Sequence, residues 1–229
     1  TGDMLGRVYL NFNLPACPPV TPPETESGAQ WSYCYVPRPM HNILECQNVS
    51  FNDINSEEII KYANLVYDFN YETNIPACKK VGYDKMIGNV PALTSFPLQQ
   101  GQQTPVYPAV LPLLFSFTET DPSGLPTHWL KTCALPYTAT TITLKFRDLT
   151  NIVIKTDINS HCGRIYPAEK HELTEMQNQW NSTKACVWGE YAILSQTERS
   201  AMSCGMETHF LRQYQAVRTS LGPGNSENS

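Results

Sequence analysis

At 229 residues the chain has room for one large β-sandwich or two small domains, and for a substantial core. Charged residues make up only 16%, against roughly 25% in ordinary soluble domains, whereas 18 prolines and 12 tyrosines favour turns and strands. A formal charge of −5 without a cluster of Lys and Arg excludes the basic face that direct nucleic-acid binding requires.

Arg7 to Leu14 alternates with period two: Val8, Leu10, Phe12 and Leu14 fall on one face and Arg7, Tyr9, Asn11 and Asn13 on the other. That is the pattern of a half-buried strand, and Pro15 ends it. Pro15 to Gln30 carries five prolines among small polar residues and reads as an exposed loop. Trp31 to Val36 and Ile43 to Phe51 follow as a strand pair, or one bent strand interrupted by Pro37 and Pro39, with Asn52-Asp53 as the next turn. Asn55 or Ser56 is placed to cap a short helix through Val66, with Glu57 and Glu58 in its first turn and Ile59, Ile60, Ala63 and Val66 as its apolar face. Asn89 to Ala109, rich in Pro, Gln and Gly, reads as a second long loop.

Leu111 to Phe117 is a nearly continuous apolar run, as in a strand covered on both faces. Thr141 to Arg147 alternates strictly, as in a strand with one wet face. Between them Pro112, Pro122, Pro126 and Pro136 shape a corner. The strand-like run Ala185 to Leu194 leads directly into Ser195, Gln196, Thr197 and Glu198, a capping box that opens a helix. Ser220 to Ser229 has no periodicity and reads as a tail or a cut end. The chain begins at Thr1 without Met and is in strand periodicity by Gly6, which predicts a fragment of something longer.

Candidate chemistry is weak throughout. His161-Cys162 lies in a loop without a partner that must converge on it, and a reactive thiolate needs a positioned base. Cys204 and His209 are five apart, which does not stack them on one helical face for zinc. Glu57-Glu58 reads as a helix start and Glu119 with Asp121 as a solvated turn, not as acid/base pairs. His41, His128, His161, His171 and His209 are too scattered for a cupin-type metal cluster. The cysteines, Cys17, Cys34, Cys46, Cys78, Cys133, Cys162, Cys186 and Cys204, show no CxxC pair and read as reduced thiols of an intracellular protein, with four disulfides the alternative that their even number allows. Sequons stand at Asn48 and Asn181, the first inside a predicted strand. No window approaches the roughly 18 apolar residues of a membrane span. The expectation is no catalytic, cofactor or metal site, and no enzyme activity.

The segments Pro39 to Ile54 (PMHNILECQNVSFNDI) and Gly82 to Asn89 (GYDKMIGN) resemble the major capsid proteins of large icosahedral double-stranded DNA viruses, iridovirus-like in particular. An LPL-aromatic element, a short G-L-x-L-P element and an L-P-Y segment before an alternating strand recur there in order. Here they stand as Leu111 to Phe117, Gly124-Leu125-Pro126, Ala134 to Tyr137 and Thr138 to Arg147, and YAILSQTERSAMSC (Tyr191 to Cys204) continues the match. The corner ETDPSGLPTHWLKTCALP is expanded relative to that pattern, and Cys162 to Lys184 has little counterpart.

The resemblance implies an all-β, antiparallel jelly-roll sandwich with short helices. Residues 1–195 would form the first jelly roll of a double jelly-roll protein, lacking its opening strand. Residues 196–229 would hold the connecting helix and the start of the second, with His209 to Val217 as its first strand. It further implies homotrimeric, pseudo-hexagonal capsomers that contact neighbouring capsomers and minor capsid proteins in the virion shell, assembled in the host cytoplasm. An inner viral membrane would be reached only through other proteins. A sandwich lacking a strand exposes an edge, so the isolated chain is expected to be poorly soluble. The alternative is a stand-alone, lectin-like jelly-roll binding or attachment module, with Trp31, Tyr33, Tyr35, Trp129 and Trp188 available for stacking on sugars.

Overall fold

The period-two stretch at the start of the chain forms the longest strand. In the computed structural model, which describes residues 2–25, 28–51, 56–120, 127–135, 140–160 and 162–204, that strand is β1 (Met4–Leu14). There follow β2 (Trp31–Tyr35), α1 (Pro39–Ile43), β3 (Leu44–Phe51), β4 (Ser56–Lys61), α2 (Ala63–Thr73), α3 (Ala77–Met86) and α4 (Pro91–Thr94). Then come β5 (Tyr107–Pro112), β6 (Thr140–Phe146), β7 (Val153–Asp157), β8 (Ile165–Pro167), α5 (Thr174–Ser182), β9 (Cys186–Ala192) and α6 (Gln196–Cys204).

Among the described residues the strands make three antiparallel sheets, ordered β5-β1-β9, β2-β7-β8 and β4-β3-β6. One apolar cluster draws on all three: Leu10, Phe12 and Leu14 from β1, Tyr35 from β2, Val49 from β3, Ile60 from β4, Leu111 from β5 and Val153 from β7. The faces of β1 and β6 meet where Phe12 lies 5.8 Å from Phe146, and Trp180 of α5 closes on both rings at 4.7 and 6.3 Å. Such tilted and edge-on pairs add about 0.5–1.5 kcal/mol each beyond their buried area. Gly6 lies beneath Trp129, where a Cβ would come 2.8 Å from the indole ring; the β1–β9 register shifts over the same stretch, between Leu5 and Val8.

Several elements differ from the sequence reading. Leu111 to Phe117 is not one strand: β5 begins earlier, at Tyr107, and stops at Pro112, and the chain turns through a 3-10 segment at Ser116–Thr118. Leu113, Phe115 and Phe117 are buried from that turn, with the Thr118 hydroxyl donating to the Leu113 carbonyl. The segment from Ser56 to Lys61 is a strand, not the first turns of a helix. It pairs with β3, and Glu58 and Ile60 alternate inward to buried positions. The helix starts only after Tyr62, a left-handed residue at φ 54°. β2 and β3 are not paired with each other: α1 separates them, β2 joins β7, and β3 lies between β4 and β6. The Pro15 to Gln30 loop is not exposed throughout: Pro15, Cys17 and Val20 are buried, while Pro19 and Pro22 to Thr25 are exposed. The Asn89 to Ala109 segment contains α4 and the first residues of β5.

Other elements match. β6 alternates as expected, β9 falls inside Ala185 to Leu194, and the capping box forms: Ser195 and Glu198 exchange side-chain to backbone hydrogen bonds at 3.0 and 3.3 Å. Asn52-Asp53, Gly124-Leu125-Pro126, Pro136-Tyr137, His209 to Val217 and Ser220 to Ser229 lie outside the described residues. No described helix is long and apolar enough to cross a membrane.

Candidate assembly surface

Pro39 to Ile54 and Gly82 to Asn89, two segments that carry the resemblance, meet at a buried histidine. His41 of α1 is 0% exposed; its Nδ1 lies 2.8 Å from Asp68 Oδ1 on α2 and its Nε2 3.1 Å from the Tyr83 hydroxyl on α3. Its ring stacks on Tyr67 and meets Tyr71 and Tyr83 at steeper angles. As a neutral imidazole it donates through Nδ1–H to the carboxylate and accepts the phenol proton at Nε2, which satisfies all three groups. Burial holds its pKa below the ordinary histidine value, outweighing the opposite pull of Asp68.

Around this ring Arg38 donates its backbone N–H to Asn89, binds Asp68 and Glu72, and lies 4.1 Å from the Tyr71 ring centroid. Tyr71 donates to Asp84, and Lys80 pairs with Glu72. None of the side chains of α3 is fully buried, so polar contacts rather than an apolar stripe fasten it. At its exit Gly88 takes φ 78°, beside Leu14 and Leu93, a conformation that a side chain would strain. This centre positions helices, and its imidazole is closed off from solvent.

The two proline-rich loops form one surface lobe. Val20 N–H donates to the Gln102 carbonyl at 2.9 Å, Gly101 N–H to the Val20 carbonyl at 3.1 Å, and Cys17 N–H to the Thr104 hydroxyl at 2.8 Å. The Ser32 hydroxyl ties the lobe to β2 through the Pro97 carbonyl. Its outer surface presents Pro22, Pro23, Leu98, Gln99, Gln100 and Val106, all exposed. From Asn89 to Ala109 there is no charged residue at all. An uncharged loop held to its neighbour by backbone bonds suits a protein–protein contact.

The residues weighed for chemistry are not brought together. Cys162 is exposed with its N–H on Ser160, Cys204 is exposed on α6, and His161 and His209 lie outside the described residues. Glu58 is buried as a clamp, accepting from the Ser116 N–H at 2.9 Å and its hydroxyl at 2.7 Å, while Glu57 accepts from Asn48. Glu119 is described but Asp121 is not. His128 contacts Thr127, and His171 faces Glu169 at 3.6 Å, each apart from His41. Among the described residues no three His, Cys, Asp or Glu side chains are grouped to hold a metal. Of the aromatics, Tyr33 and Tyr35 are buried, Trp31 and Trp129 half-buried, and Trp188 exposed. The His41 centre escaped the sequence reading, although Ala63, Tyr67 and Tyr71 at i, i+4 and i+8 were its visible trace.

Residues 1–195 match the family described as major capsid protein N-terminus. The major capsid protein of Invertebrate iridescent virus 6 is 29% identical over 225 residues, covering 94% of this chain and 45% of the relative. That of Frog virus 3 (isolate Goorha) is 32% identical over 222 residues, covering 95% and 45%. The chain thus spans less than half the length of these relatives. The fold is shared with a chain of the PBCV-1 virus capsid at TM-score 0.54 and 16% identity, over 89% of this chain and 38% of the other. It is shared also with the Faustovirus major capsid protein at TM-score 0.51 and 11% identity, over 88% and 51%. The architecture is therefore the antiparallel jelly-roll sandwich with short helices that the sequence reading expected. Since the family match runs through every described strand, the chain belongs to the major capsid protein N-terminus family.

Proposed function

We propose that the chain is part of a major capsid protein that builds the icosahedral shell of a large double-stranded DNA virus, with a structural rather than a catalytic role. Three copies form a pseudo-hexagonal capsomer, and capsomers tile the shell through many weak symmetric contacts whose strength multiplies with valency. Residues 1–195 act as the first jelly roll, and 196–229 lead into a second. The two-loop lobe makes contacts between copies or with neighbouring capsomers and minor capsid proteins. The protein is made and assembled in the host cytoplasm and resides in the virion.

The observation that carries this reading is the family match over residues 1–195, to which the uncharged Asn89–Ala109 loop and the lack of a Lys/Arg cluster in the sequence add support. Light scattering on the intact protein tests it. A mass of three chains is expected, and a monomer that binds saccharides would favour an attachment module instead.

A further inference from the structure

The three helices around His41 are fastened unequally. α1 buries Pro39, Met40 and Ile43, and α2 buries Ala63, Tyr67 and Tyr71, whereas α3 buries no side chain. Of the hydrophobic residues of α3, Tyr83 packs against the core and Val81 is 67% exposed. Polar contacts do the rest: Asp84 accepts from the Tyr71 hydroxyl and from Asn89 Nδ2, Lys80 pairs with Glu72, and the Tyr107 hydroxyl donates to the Lys85 carbonyl. Just past the helix the chain is anchored again, by the buried Ile87 and the left-handed Gly88.

The bonds of His41 are those of a neutral ring only. The Asp68 carboxylate can only accept, so Nδ1 carries the proton and Nε2 receives that of the Tyr83 hydroxyl. The same Asp68 Oδ1 already serves Arg38 Nη1 at 3.2 Å. A second proton on the ring goes to Nε2, where it meets the Tyr83 hydroxyl hydrogen, and it places a charge at a site with no solvent access. A buried ion is costly, and admitting water relieves the cost. The side that yields most readily is the one closed by α3.

We propose that His41 is an acid-sensing latch: protonation of its Nε2 breaks the contact with Tyr83 and swings α3 away from α1 and α2 about Ile87 and Gly88, while the sheets stay folded. The groups that face the ring are Tyr67, Asp68 and Tyr71 on α2, with Glu72 beyond them, Tyr83 and Asp84 on α3, with Lys80 over Tyr71, and Arg38 ahead of α1. Imidazole is the side chain whose ordinary charge change falls between pH 5 and 8. The latch rests on the helices alone and goes beyond a shell-building role.

Hydrogen–deuterium exchange on the intact protein tests it, at about pH 7.5 and about pH 5, with rates corrected for the pH dependence of free amides. Protection of residues 77–87 is expected to fall about tenfold or more at the lower pH, since each unit below about 6.5 favours the open form by up to tenfold, while β1 keeps its protection. In His41→Gln the amide can donate to Asp68 and accept from Tyr83 without titrating, so α3 should be protected equally at both pH values. Tyr83→Phe, which removes the contact, should speed α3 exchange already at the higher pH. Equal wild-type protection of α3 at both pH values would overturn the proposal. The same acid loss in His41→Gln would assign it to the carboxylates, parallel loss in β1 would mean unfolding of the sandwich, and wild-type exchange of α3 in Tyr83→Phe would show that the contact holds nothing; each of these also overturns it.

Discussion

Tyr67→Phe isolates what the buried polar contacts contribute, because it removes one hydroxyl and almost no volume. The Tyr67 side chain on α2 is buried; its hydroxyl donates to Gln47 Oε1 on β3 at 2.7 Å and accepts the Leu114 N–H at 3.3 Å. Gln47 is buried as well, and its Nε2 donates to the Leu114 carbonyl. The substitution therefore strands one buried acceptor, Gln47 Oε1, and one part-buried donor, the Leu114 N–H, at the junction of α2, β3 and the turn after β5. Each orphaned group costs about 1–3 kcal/mol, and the Leu114 contact is long, so the loss comes to about 2–4 kcal/mol. That is a large part of a typical domain stability of roughly 5–15 kcal/mol. Urea unfolding of the intact protein, followed by tryptophan fluorescence, measures it. A cycle with Gln47→Met should return a coupling of about 0.5–3 kcal/mol. A loss under about 0.5 kcal/mol, in the range of ordinary surface changes, would refute the reasoning.

Other outcomes follow from the same structure. The pKa of His41 is depressed by burial despite Asp68, with Tyr67, Tyr71 and Asp68 facing it from α2, Tyr83 and Asp84 from α3, and Arg38 from its own loop. The unfolded chain thus takes up the proton first, so stability is full above the ordinary histidine value of about 6.5 and falls as pH drops below it. Melting temperature should decline from pH 8 to pH 5, and His41→Gln should flatten the decline while lowering stability at pH 8. Burial pushes the thiols of Cys17 and Cys34 up to about 12, whereas Cys78 and Cys162 are exposed. Iodoacetamide at pH 8 should label the latter pair in minutes and the former only on unfolding, as peptide mass spectrometry would show. Arg7→Ala breaks an ion pair that is about one-third exposed at each end, so it should cost under about 1 kcal/mol in the same urea assay. Deleting Gln99–Gln103 should weaken association of copies or capsomers without lowering the melting temperature of the sandwich; unchanged assembly would remove that role from the lobe.

Much of the sheet was legible because its information is local. β1 and β6 announce themselves by alternation and β9 as a strand-like run, and the Ser195 and Glu198 capping box forms where its spacing places it. The failures share a different physics. Leu111 to Phe117 is apolar because it is buried, yet burial of Leu113, Phe115 and Phe117 is achieved from a turn held by Thr118, and periodicity cannot tell a covered turn from a covered strand. Glu57 and Glu58 looked like a helix start until β3 offered an edge and Ser116 a partner for the Glu58 carboxylate, two long-range facts that override local propensity. The lobe was half visible: each loop was apparent from its prolines, but their backbone bonds to one another were not. The His41 centre depends on contacts from Asp68 and Tyr83, 27 and 42 residues away, and no local rule brings them together.

Cryo-electron microscopy of the intact protein's assemblies tests most directly whether this sandwich is a building block of a viral shell. The expected map shows trimers with pseudo-hexagonal outline tiling a surface, with β5-β1-β9 recognisable in each copy and the Pro15–Gln30 and Asn89–Ala109 lobe at a contact between copies or capsomers. Isolated monomers with both loops in solvent, at concentrations where shells should form, would contradict it.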